Sequence, residues 1–101
     1  MKQSITIRTM EGDKVVDADV RGHIAVHRDV GPWNCWNVTH IPTGRFICMG
    51  MRTKEIAMEC SRALRSLRVD WSFSDPEGGK SLPKKTRARI IAIKNRFDGA
   101  P

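Results

Sequence analysis

The chain has 101 residues, 40% hydrophobic and 29% charged, with 18 Lys and Arg against 11 Asp and Glu. That length supports one hydrophobic core in a single domain spanning 1–101, and the composition is too apolar for a disordered tail. No run approaches the roughly 18 consecutive apolar residues of a membrane span, and Met1-Lys2-Gln3-Ser4 leads into an alternating polar segment rather than a signal-peptide core, so a soluble, cytoplasmic protein without membrane partners is expected.

Ile5, Ile7 and Thr9 alternate with Ser4, Thr6 and Arg8, the period of a half-buried strand, over about 3–11. Gly12-Asp13 is a favoured hairpin pair, and a turn there sets Glu11 opposite Lys14, Ile7 opposite Ala18 and Ile5 opposite Val20. Even positions stay apolar or small from Val16 to Val26, which predicts one second strand to about residue 28, bent at Gly22. Its outward face carries Asp17, Asp19, Arg21, His23 and His27, with both histidines solvated.

Asp29-Val30-Gly31-Pro32 is a turn signal. Residues 36–41 and 45–49 flank Pro42-Thr43-Gly44 as a second hairpin, with Trp36, Val38, Phe46 and Cys48 on one face. Thr53 caps a helix over about 53–67 that turns Ile56, Cys60, Ala63, Leu64 and Leu67 inward and Lys54, Arg62 and Arg65 outward. Val69, Trp71 and Phe73 alternate as a short strand or extended segment, completing a core over 1–74, and a loop over 75–80 precedes a basic C-terminal helix at 81–97. In that helix Leu82, Thr86, Ile90, Ile93 and Phe97 form a docking stripe, and Lys84, Arg87, Ile91 and Lys94 lie on the far side. The fold class is α+β: an antiparallel meander of about four strands covered by one helix, with the basic C-terminal helix beside it.

Three cysteines, Cys35, Cys48 and Cys60, cannot all pair within the chain, and no export signal is present, so free thiols are expected. Zinc knuckles need closely spaced ligands, and only His23 and His27 have such spacing, on a strand; no metal or other cofactor is expected. Asp17, Asp19 and His23 form the one cluster with catalytic residue types. An open sheet face excludes no water around them, so ordinary surface charge is the plainer reading and no enzyme is expected.

The charge is gathered at one end. Residues 1–79 carry 11 basic and 10 acidic side chains, whereas 80–101 carry seven basic residues and one acid, so the last 22 residues supply +6 of the net +7. The candidate binding residues are therefore Lys80, Lys84, Lys85, Arg87, Arg89, Ile91, Lys94 and Arg96, joined by Arg62 and Arg65 on the first helix. Trp33, Trp71 or Phe73 is a candidate platform for unpaired bases, against the plainer reading of a core aromatic. A tail that only keeps the protein soluble is the bland alternative.

The run Trp36-Asn37-Val38-Thr39-His40-Ile41-Pro42-Thr43-Gly44, with the strand and the Thr53-Lys54-Glu55 helix start that follow it, resembles short uncharacterised proteins of bacteriophages and mobile elements over residues 36–67. This resemblance implies a context in which anti-CRISPR inhibitors occur: non-enzymatic proteins in the bacterial host cytoplasm that bind a host nuclease or nucleic-acid-targeting ribonucleoprotein complex. A net charge of +7 argues against mimicry of DNA and for a grip on guide RNA, target DNA or an acidic protein patch. The alternative is a stand-alone DNA- or RNA-binding module acting through phosphate contacts of the C-terminal helix.

Overall fold

The computed structural model describes residues 1–75 and 77–100, so Pro76 of the expected 75–80 loop lies outside the described residues. Five strands, β1 (Lys2–Thr9), β2 (Gly12–Arg21), β3 (Ile24–Arg28), β4 (Trp36–His40) and β5 (Arg45–Met51), pair in sequence order as one antiparallel sheet. Helix α1 (Lys54–Arg65), a 3-10 turn (Gly78–Ser81) and helix α2 (Lys84–Phe97) follow. The α+β class stands, and the meander gains a strand over the expected four.

The first hairpin keeps its expected faces but not its register. Ile5 lies opposite Val16 and Ile7 opposite Lys14, with Met10-Glu11 at the turn instead of Gly12-Asp13. Thr9 explains the choice: its hydroxyl donates to the Gly12 carbonyl and accepts from the Glu11 N–H, while Gly12, at φ 101°, closes the loop in a conformation that favours glycine. The slip is four residues, an even number, so Ile5, Ile7, Ala18 and Val20 remain together.

The extra strand comes from Gly22. At φ 61° it does not bend one long strand but reverses the chain, with His23 beside it in the turn and Val20 paired with Ala25. Reversal also exchanges the faces beyond the turn. Ile24 and Val26 leave the face of Val20, and His27, expected in solvent, becomes buried.

Each face of the sheet has its own core. On one, Ile24, Val26, Val38, Cys48 and Met51 pack with Ala57, Cys60 and Leu64 of α1 and Phe97 of α2. On the other, Ile5, Ile7, Ala18, Val20 and Ala25 pack with the half-buried Val16, Ile41 and Phe46. An irregularity in the β4–β5 pairing, where Val38 faces Cys48 but Thr39 faces Phe46, sends Phe46 to the second core and parts it from Cys48, against the expectation that they share a face. The sheet curls to enclose this second core: the Arg8 N–H of β1 donates to the Gly44 carbonyl in the β4–β5 turn at 2.8 Å. Gly44 is at φ 69°, and a Cβ there would sit 3.3 Å from the Thr6 carbonyl oxygen, so both conformation and space favour glycine.

Helix α1 begins as its cap predicts, the Thr53 hydroxyl accepting from the Ile56 N–H at 3.2 Å. Residues 69–73 form no strand. Helix α2 docks through Phe97, with Ile90 and Ile93 half-buried, and the chain beyond it is tied to β5: the Met49 N–H donates to Asp98 and the Gly99 N–H to the Met49 carbonyl, each at 2.9 Å. The basic helix is therefore a fixed part of the fold rather than a free tail.

Candidate interaction surface

A helix turns about 100° per residue, so the docking stripe of the half-buried Thr86, Ile90 and Ile93 and the buried Phe97 leaves two flanking ridges. One carries Lys84, Arg87, Ile91 and Lys94; the other carries Lys85, Arg89 and Arg96. All seven side chains are exposed, Ile91 at 54%. Among the described residues Lys84, Lys85, Arg87 and Arg89 meet no carboxylate within 4.0 Å. Other members of the candidate set are partly occupied: Lys94 reaches Asp98 at 2.6 Å and the Ile47 carbonyl at 3.3 Å, Lys80 pairs with Glu77 at 2.6 Å, and Arg96 lies over the Phe97 ring. On α1, Arg65 donates to Ser61, and Arg62 borders a depression that also contains Glu55 and Glu59, so that helix presents mixed charge. Within the candidate set, and among the described residues, the unpaired cations gather on the first half of α2.

The sequence cluster of Asp17, Asp19 and His23 is not assembled. Asp17 accepts from Ser4 at 3.2 Å. Asp19 takes the N-terminal amine at 3.3 Å, Arg21 at 3.2 Å and Lys54 at 3.8 Å. Slight burial opposes its charge, but these three cations outweigh that and hold the carboxyl below its ordinary value, as suits a tie between strand and helix rather than a proton carrier. His23 sits in the β2–β3 turn. Among the described residues, no three His, Cys, Asp or Glu side chains converge as a metal would need. Cys35, Cys48 and Cys60 are free thiols.

Two buried histidines organise the two faces of the sheet instead: His40 on the side of α2, next to Trp71, and His27 on the opposite side, against Phe46 of the second core. A carbonyl can only accept, so His40 donates from Nε2 to the Trp71 carbonyl at 2.6 Å, and its Nδ1 accepts from the Thr43 hydroxyl at 2.8 Å. His27 is the mirror case, donating from Nδ1 to the Arg28 carbonyl at 2.8 Å and accepting at Nε2 from Thr39 at 2.7 Å. Both rings are neutral in these networks, and burial pushes the pKa of each below its ordinary value, over the opposing backbone carbonyl bonds.

This pair predicts loss of stability in mild acid. Above pH ~6.5 both rings are neutral folded and unfolded; as pH falls below that value the unfolded chain takes up protons that the folded rings refuse, until their lower folded pKa values are reached. The urea midpoint should fall from pH ~7.5 to pH ~5.5, a window in which carboxylates stay ionised. An unchanged midpoint would show that the folded rings accept protons freely.

Next to His40 the segment 69–73 closes a cleft. Phe73 stacks on the His40 ring with centroids 4.3 Å apart, and Trp71 stands 6.4 Å from Phe73. Trp71 and Phe73, with Arg45 from β5 and Arg87, Ile90 and Ile91 from α2, line a space of about 320 Å³. The sequence alternation marked the two aromatics, but nothing in it pointed to Arg45 or to closure by α2, which depend on the hairpin and the helix meeting. Trp33, the third aromatic considered as a platform, is 73% exposed on the loop before β4 and borders a different depression with Asn34, Cys35 and Met49. With the geometry of this surface in place, comparison with known proteins adds nothing to it: no family model matches the chain, and neither a curated protein nor a solved structure matches it.

Proposed function

We propose that this chain is a non-enzymatic binding protein that grips the nucleic acid of a host nucleic-acid-targeting ribonucleoprotein complex, as an inhibitor of the anti-CRISPR kind, with α2 meeting the phosphates. The observation that carries the reading is the set of exposed cations Lys84, Lys85, Arg87 and Arg89, none meeting a carboxylate among the described residues, on a helix fixed to the fold at its far end. Cations held only for solubility would be expected to scatter over the surface, whereas these sit on one helix beside the exposed Ile91. An exposed apolar residue within a cationic rim favours a composite partner, nucleic acid together with protein, over a naked duplex.

The test is capture from bacterial lysate on the immobilised protein, with and without nuclease, beside titration of naked DNA and RNA at rising salt. Capture of a protein complex that nuclease abolishes supports the reading. Retrieval of naked nucleic acid alone, with affinity falling steeply in salt through counterion release, supports the stand-alone module in its place. Capture indifferent to both nuclease and salt rejects the phosphate contact.

A further inference from the structure

We infer that the cleft between the β4–β5 hairpin, residues 71–73 and α2 is a binding site for one unpaired nucleobase of a single-stranded nucleic acid, with its phosphate held at the rim by Arg45 and Arg87. The inference rests on the nucleic-acid reading above and names the part of the nucleic acid that this face takes. Two properties of the cleft define its occupant. The wall is flat and aromatic, built from Phe73 stacked on His40 at an interplanar angle of 29° with Trp71 alongside, so the occupant has an apolar planar face. The rim is cationic on both sides, Arg45 on the hairpin and Arg87 on α2, and neither meets a carboxylate within 4.0 Å among the described residues, so the occupant is anionic near that plane.

A planar face with a negative charge beside it describes a nucleotide unit. A carboxylate-rich peptide supplies the charge without the plane. A paired base supplies neither face, because both lie within the stack, and the volume of about 320 Å³ falls at the small end of ligand cavities, suited to one such unit. The cleft also shares Arg87 and Ile91 with the cationic ridge of α2, so a strand whose phosphates follow the helix passes its mouth.

The experiment is fluorescence anisotropy of the full chain with three labelled probes of equal length: single-stranded oligothymidylate, the same strand made abasic, and its duplex. The wild type should bind the single strand about 10-fold or more tightly than the other two, the effect of one stacked base. Phe73→Ala and Arg45→Glu should abolish that preference, whereas the double variant Lys85→Glu/Arg89→Glu should weaken all three probes and preserve it. Equal binding of the single strand and the abasic strand by wild type overturns the cleft assignment and leaves the phosphate reading standing; failure of every probe overturns both. Because Phe73→Ala removes a packed ring and is open to misfolding, the exposed Arg45→Glu and photocrosslinking of a 5-iodouracil strand decide independently. Crosslinks at Trp71 or Phe73 support the assignment. Crosslinks confined to other residues, or displacement of the strand by polyglutamate as readily as by unlabelled oligothymidylate, overturn it.

Discussion

Leu64→Ala is expected to lower the unfolding free energy by about 2–5 kcal/mol, a large share of the roughly 5–15 kcal/mol that holds a small domain together. Leu64 is fully buried on α1, and it packs into the core that both helices share with β3, β4 and β5. Its neighbours cannot readily fill the space. Ala57 and Cys60 are small, and Val38 and Cys48 are fixed by strand pairing, so much of the removed volume should persist as a cavity. By contrast Leu67, expected from the same helical stripe, lies beyond the end of α1 and is half-buried, and its replacement by alanine should cost clearly less. Melting curves of the two variants check the ordering. A Leu64→Ala melt matching wild type would remove α1 from the role of lid on the sheet.

The difference between these leucines shows how far the sequence reaches. Period and capping placed α1 from Thr53 onward and α2 up to Phe97, because those signals act within one turn of the backbone. What escaped was decided at turns. Gly22 is consistent with a bend or a reversal when read locally, and only the pairing of Val20 with Ala25 selects reversal. That choice carried His27 from solvent into the core, and the irregularity between β4 and β5 moved Phe46 in the same way. A turn is worth little energy by itself, so whichever alternative buries more surface wins, and that surface comes from distant strands. The candidate site divides along the same line. The cations of α2 were legible from charge alone, while the cleft that adds Arg45 to Arg87 required residues about forty positions apart to meet.

Replacing Lys84, Lys85 and Arg89 by glutamate is expected to weaken binding to a nucleic-acid partner by at least about 100-fold while leaving the melting temperature unchanged or higher. The three side chains are exposed and meet no carboxylate among the described residues, and Lys94, which is tied to Asp98 and the Ile47 carbonyl, is left in place. Lys84 and Lys85 open α2, whose first turn contains no acidic residue and whose N-terminus has no side-chain cap. A cation there opposes the helix dipole, at about 0.3–1 kcal/mol each, whereas glutamate favours it and is a good helix former. The arrangement is thus unfavourable for the helix itself, as is common where a surface serves binding. The same N-terminus, with its free N–H groups and two lysines, favours phosphate. Removing three such contacts should reduce the slope of log affinity against log salt by about 2–3 and weaken binding by at least about 100-fold at moderate salt. Both quantities come from one titration series, and the melt of the same sample supplies the control. A variant that melts as expected and binds with the wild-type salt slope would show that α2 carries its charge for solubility alone.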